Sequence, residues 1–395
     1  MAFLEGLQGR GIKLGLGRIE AFLKSVGRPH EKFRSVHIAG TNGKGSTAAM
    51  LESILREAGY KTGLYTSPHL VRFNERIQVN GSPISDSALA QLISETKDEA
   101  EKFGIHLTFF EFLTVMAFKR FASQGVDFAV VETGMGGRLD ATNVVKPLVC
   151  AITNVERDHQ QFLGNAIENI ASEKAGVIKQ GIPVVTAEWK KTVLNVFRER
   201  ALEKNASLRV IDKPFEGRLG LLGSFQKWNA ALALSIVEEL QKQGIGVSEE
   251  AVEAGLLNAS WPGRFQIVRK KPTVILDCAH NPACCVVLAR SFKELFPGKK
   301  ASLVFGASSG KEVKRMAALL SPIAEKACVT AANYRGMPFG KTASFFESRG
   351  FPVEKISGVE NALKKALSSA SRDDVILVAG SCFLVGEAIE FFNFK

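Results

Sequence analysis

The chain has 395 residues and a mass of 42.8 kDa, more than one hydrophobic core normally serves, so two domains are expected. Hydrophobic residues at 46% and charged residues at 23% give a globular balance; no apolar run would span a bilayer, and the N-terminus MAFLEGLQGRGIKLG lacks a signal-peptide core, which points to the cytoplasm. The net charge of +11 suits an anionic partner; Lys and Arg are scattered without a basic tract or interleaved aromatics, so nucleotides or acidic peptides suit the balance as well as nucleic acid, and only the motifs turn the expectation to small molecules and no nucleic acid.

Apolar β-rich runs alternate with helical stretches, the pattern of α/β architecture with a mainly parallel sheet. SVHIAG reads as a strand, then a glycine loop, then the helix STAAMLESILREAGY with Met50, Leu51, Ile54, Leu55 and Ala58 at helical spacing. KTGLYTS is a second short strand, FFEFLTVMAFKRFASQG an apolar helix, and VDFAVVETG a buried strand running into the turn Gly134–Gly137. PLVCAITNV is a strand, NAIENIASEKAGVIK a helix and IPVVTA a strand. A second α/β pattern opens near Pro272, with strands TVILDCA, ASLVFGA, KACVTA and DDVILVAGS. The cationic segment WPGRFQIVRKKP between the patterns reads as a hinge, dividing a 1–268 domain of P-loop type from a smaller Rossmann-like 269–395 domain. Cys150, Cys278, Cys284, Cys285, Cys328 and Cys382 mostly sit in apolar runs and form no CxxC pair, so buried, reduced thiols are expected.

The stretch VHIAGTNGKGST carries the first chemistry. The common phosphate loop GxxxxGK[ST] places a hydroxyl residue directly after its lysine; here Gly45 intervenes before Ser46 and Thr47. A glycine loop between a buried strand and a helix aims backbone N–H groups and the helix's positive end at phosphate oxygens. Thr41, Asn42, Gly43, Gly45 and Ser46 would wrap the phosphates, Lys44 would reach the β/γ-phosphates, and Ser46 and Thr47 would cap the helix. Glu132, ending VDFAVVE, would emerge at the carboxyl edge of the sheet, where open α/β sheets bind ligands. Read alone, it is equally a surface strand-end carboxylate, His159 a structural loop histidine, and Lys174 an exposed helix lysine.

GTNGKGS followed by YTSPHLVRFNERI resembles folylpolyglutamate synthase and the related bifunctional dihydrofolate synthase, members of a superfamily of ATP-dependent amide ligases that includes the muramyl-peptide ligases. The resemblance runs nearly end to end, through LGLGRIEAFL, FFEFLT, VVETGMGGRLDATNVV, ITNVERDHQQFLGNAIENIASEKAGVIK, WPGRFQIV and ILDCAHNPA. It implies that Ser67, Glu132 and His159 hold Mg²⁺, and that Lys174 is N-carboxylated by CO₂ and ligates a second Mg²⁺. It implies that Asn229, Arg264 and Asp277 contact ATP gripped between the domains, and that His280 faces the reaction. It puts the pteroate part of a folate or dihydropteroate near Ile12 to Leu14, Thr108, Phe109, Phe110, Leu139, Asp140 and Ala141. Asp140 would bond an amino-pyrimidine edge or merely cap a turn.

The implied reaction has a substrate carboxylate take the γ-phosphoryl of ATP, and the amine of L-glutamate capture the acyl phosphate, with a monomer as the expected state. Phe225, Gly310 and Glu312 depart from the family's habits, and Lys13 stands where a bifunctional relative can carry an acid, a faint sign against dihydropteroate. The competing readings are a UDP-muramyl-peptide ligase, disfavoured because only 39 residues precede Gly40, and a nucleotide-gated switch without ligase chemistry.

Overall fold

The computed structural model describes residues 2–8, 11, 13–158 and 160–393. The chain divides into two compact units: 1–69, 73–220 and 227–260 form the first, and 70–72, 221–226 and 261–395 the second.

The first unit contains β1 (Arg34–Ala39), β2 (Thr62–Tyr65), β3 (Ile77–Val79), β4 (Ser82–Pro83), β5 (Phe128–Glu132), β6 (Val149–Ile152), β7 (Val184–Thr186) and β8 (Leu208–Val210). Among the described residues these make one sheet in the order β4-β3-β2-β5-β1-β6-β7-β8. From β2 to β8 every pairing is parallel, and β3 and β4 run antiparallel at one edge. β1 lies in the middle, Val36 beside Val130 and Val149. β5 lies beside it, between β2 and β1, and its apolar run FAVV follows from that position, since a parallel strand covered on both faces has no polar side to show. One core beneath it gathers Tyr65, Phe112, Phe118 and Phe121, all essentially inaccessible. The helix Phe109–Gln124 that supplies most of these rings begins with a reciprocal cap, Thr108 and Glu111 each accepting from the other's backbone N–H. Gly63 on β2 leaves room for Phe121, whose ring occupies the space a Cβ would need.

The second unit contains β9 (Gln266–Lys270), β10 (Thr273–Asp277), β11 (Ala301–Phe305), β12 (Ala324–Val329), β13 (Val353–Lys355) and β14 (Val375–Ala379), in the order β13-β12-β11-β14-β10-β9. Only the β9–β10 pairing is antiparallel. Phe292, Phe305 and Phe346 anchor its core. The segment read as a hinge is thus partly strand: position 268 falls inside β9, and the units part at Ser260 and Trp261. Alternating exposure along QIVRK, typical of an edge strand, hid it from a search for continuous apolar runs. All six cysteines are free thiols, five buried and Cys284 half-buried. No helix among the described residues is long and apolar enough to cross a membrane.

Candidate active site

β1 delivers the chain into the glycine loop at the carboxyl edge of the first sheet. Gly40 has φ +142°, and a side chain there would run into the Thr153 hydroxyl. Gly43, at φ +87°, is the left-handed residue that opens the helix Lys44–Glu57, and a Cβ on it would meet Asn229 Oδ1. The helix therefore starts two residues earlier than expected. Ser46 and Thr47 do not cap it but lie buried within its first turn, with Thr47 N bonding to Gly43 O at 2.9 Å.

Four of the expected residues converge here. Lys44 Nζ stands 3.7 Å from Glu132 Oε1 and donates to Thr41 O at 3.2 Å. Ser67 N donates to Glu132 Oε2 at 3.2 Å, so the strand-end carboxylate ties β2's exit to the loop lysine. Glu132 is only 4% exposed. Lys174 is not the exposed helix lysine that a reading of its helix alone would give: it is buried, and its Nζ donates to Gly40 O at 2.7 Å. Burial first, and then the charge of Lys44, lower its pKa to about 7 against the pull of Asp158 and Asp140. An amine so placed spends much of its time neutral near physiological pH, the state in which it can attack CO₂. Asn229, packed on Gly43, completes the group within this unit. His159 lies outside the described residues, as does Ile12.

Three buried hydroxyls ring the same loop without a hydrogen-bond partner: Thr47, Thr133 and Thr153. Orphaned oxygens in a buried site are a sign of groups meant for something else. Together with the helix N-terminus and Lys44 they suit a polyphosphate. Among the described residues no three His, Cys, Asp or Glu side chains gather to hold a metal. The donor types on offer, the Glu132 carboxylate and the hydroxyl carried by Ser67, whose N–H meets that carboxylate, are hard oxygens and few, which fits Mg²⁺, an ion that keeps water and takes phosphate oxygens as ligands.

The expected acceptor residues have mixed placements. Phe109 and Phe110 sit in the first turn of their helix, Phe109 with Phe73 at 5.9 Å and under the Arg76 guanidinium, Phe110 beside Tyr65 at 6.0 Å. Leu14 is 44% exposed, Leu139 half-buried and Ala141 buried. Asp140 is a turn cap. Its Oδ1 accepts from Thr142 N at 3.0 Å and Thr142 Oγ1 at 2.5 Å, and its Oδ2 from Met135 N at 2.9 Å. Thr142 Oγ1 also meets His37 Nε2 at 2.8 Å, which joins the GGRLDATN turn to β1.

In the second unit, Asp277 ends β10 and accepts from Phe265 N and Ala279 N, both at 2.8 Å. Burial raises its carboxyl to about 6, with Arg264 opposing. Arg264 is turned so that Nη1 donates to Gly263 O at 3.1 Å, and His280 Nδ1 lies 2.9 Å from Cys278 O. The helix Pro282–Leu295 that follows is capped by Asn281 Oδ1 accepting from Cys284 N at 2.9 Å.

Comparison with known proteins follows this division. Residues 38–187 match the Mur ligase middle domain, and residues 263–382 the Mur ligase glutamate ligase domain. A dihydrofolate synthase/folylpolyglutamate synthase of Bacillus subtilis is 37% identical over 95% of this chain and 94% of its own. Among solved structures, Escherichia coli FolC in complex with DHPP and ADP matches with a TM-score of 0.89 at 31% identity, covering 100% of this chain and 96% of that one. The bifunctional folylpolyglutamate synthase/dihydrofolate synthase of Yersinia pestis, complexed with AMPPNP and Mn ion, matches with a TM-score of 0.89 at 32% identity, covering 99% and 97%.

Proposed function

The chain belongs to the folylpolyglutamate synthase and dihydrofolate synthase family of Mur ligases, and from that premise we propose that it joins the amine of L-glutamate to the carboxylate of a folate, using ATP. It is an ATP-dependent, amide-forming ligase that works with a divalent cation. The observation that carries the residue-level reading is the meeting of Lys44, Glu132 and Lys174 at one glycine loop. There a lysine, a strand-end carboxylate and a near-neutral buried amine share a few ångströms with a helix N-terminus.

In this reading the backbone from Thr41 to Ser46 receives the phosphates, and Lys44 follows the charge that develops as the γ-phosphoryl moves to the folate carboxylate. Transfer yields ADP and an acyl phosphate. The glutamate amine then attacks that carbonyl, and phosphate departs as the amide forms. Asn229, Arg264 and Asp277 bind the nucleotide, and His280 faces the reacting carbonyl. Glu132, Ser67 and His159 would hold Mg²⁺, with an N-carboxylated Lys174 holding a second ion. That metal, when bound, neutralises charge on the transferring phosphoryl group. Leu14, Thr108, Phe109, Phe110, Leu139 and Ala141 border the pteroate part, whereas Asp140 acts through the turn it caps, because its oxygens are already engaged. The free thiols and the ATP requirement suit the cytoplasm, and the mechanism needs one chain only.

The test is ADP release with L-glutamate and, in turn, tetrahydrofolate, dihydropteroate, a muramyl-peptide acceptor and no acceptor. Release with tetrahydrofolate that disappears in Lys44→Ala is expected; an added response to dihydropteroate would make the enzyme bifunctional. Equal release in all four arms would end the ligase reading in favour of a nucleotide switch.

A further inference from the structure

The group that fixes the shape of the phosphate loop lies among residues so far given no role. Thr41 N donates to Asn154 O at 2.8 Å, Asn42 N to Asn154 Oδ1 at 3.0 Å, and Asn154 Nδ2 returns to Asn42 O at 3.0 Å. Thr41 Oγ1 accepts from Glu156 N at 3.0 Å. The loop thus leans on a strap, residues 153–156, that leaves the end of β6. The strap's other side is held by Glu188, a carboxylate with 0% exposure just beyond β7. Its Oε2 accepts from Val155 N at 2.7 Å, and its Oε1 from Trp189 N at 2.9 Å and Lys190 N at 2.8 Å. Lys190 Nζ closes the circle, donating to Val155 O at 2.8 Å and Glu156 Oε1 at 2.6 Å.

A buried carboxylate is a poor way to gain stability, since a well-packed apolar side chain of similar size often serves as well. What it gives is position: three backbone N–H groups from two separate segments must meet one rigid, planar group. We propose that Glu188 is a positioning residue for the nucleotide, setting the 153–156 strap and through it the Thr41–Gly43 backbone that receives the phosphates. This rests on the reading of that loop as the ATP site.

The experiment compares Glu188→Gln with Glu52→Gln. Glu52 is also a buried carboxylate, but it sits eight residues along the helix from Lys44, where it accepts from Thr62 Oγ1 at 2.5 Å and pairs with Arg56. Hydrogen–deuterium exchange of a peptide spanning 36–47 is followed in nucleotide-free protein, with ADP affinity by calorimetry and melting temperature alongside. Glu188→Gln is expected to speed exchange in that peptide and weaken ADP about tenfold, which corresponds to ~1.4 kcal/mol. The KM of the folate acceptor should stay within about twofold of wild type, by the same scale of RT ln ratio. Glu52→Gln should lower the melting temperature without either change. If Glu188→Gln exchanges and binds ADP like wild type, whatever its melting temperature, Glu188 is structural only and the proposal fails. Should that variant not fold, Glu188→Asp keeps the charge but draws it back by one methylene from the Val155 N–H; faster exchange in the same peptide and a smaller loss of ADP affinity are expected, and wild-type values for both overturn the proposal. Exchange and ADP affinity need no turnover. A wild type that binds ADP but releases none from ATP with glutamate and folate would therefore undo the ligase reading alone.

Discussion

Replacing His37 by glutamine should make the first unit less sensitive to acid. His37 sits on β1 with 0% exposure, and burial, followed by the charge of Lys179, lowers its pKa from 6.5 to about 3. Nε2 meets Thr142 Oγ1, while Nδ1 has no partner, so the neutral ring is the only form the site tolerates. Between those two pH values the unfolded chain binds a proton that the native chain refuses, and stability falls as pH falls. The group costs nothing above its unfolded pKa and its full penalty, ~5 kcal/mol at 1.36 kcal/mol per unit, only below about pH 3. From near pH 7 to near pH 5 the loss is roughly 2 kcal/mol, equivalent to about 4–8 °C in melting temperature for a unit of this size. His69, lowered to about 3 by burial and Arg76, titrates over the same range but is present in both proteins and cancels in the comparison. Scanning calorimetry of wild type and His37→Gln at both pH values measures the difference. Parallel losses in the two proteins would show that β1's histidine is not held neutral and would refute the argument.

Two further outcomes follow from the site. Lys174, poised near neutrality, should take up ¹³C-labelled bicarbonate, giving a lysine carbamate resonance that is missing in Lys174→Gln; an active, metal-loaded wild type without that resonance would remove the modification from the scheme. Asp140→Asn keeps the bonds to Thr142 but turns an amide toward Met135 N, so a loss of about 1–3 kcal/mol in stability is expected. The acceptor's KM should rise while ADP affinity holds, and an unchanged melting temperature would mean the turn does not depend on the carboxylate.

The parts of the fold that were legible in the sequence are those governed by continuous burial. β1, β5, β6, β10, β11 and β14 are covered on both faces, and their apolar runs announce them. β3, β4, β8, β9 and β13 lie at or next to the sheet edges, where short and half-exposed strands carry no such run. At the site, the glycine loop could be read because its residue types are set by backbone geometry. Glu188 could not. Inside TAEWKK, two residues past a strand, it resembles any surface acid, and only the arrival of Val155 N from 33 residues away reveals that it is buried. Asp140 illustrates the opposite limit: the residue stands out in the sequence, but whether its oxygens face a ligand or its own turn is decided by folding of the loop around it.

The two rims of the first sheet have a consequence for solubility. One ends in β4, two residues long and finishing in Pro83, which has no N–H to offer; the other ends in β8, three residues with Arg209 at its centre. Neither rim presents a stretch that another copy could extend by strand addition. A mostly parallel sheet assembles slowly because its neighbours are distant in sequence, so such blunt margins protect nearly finished molecules from polymerising on one another.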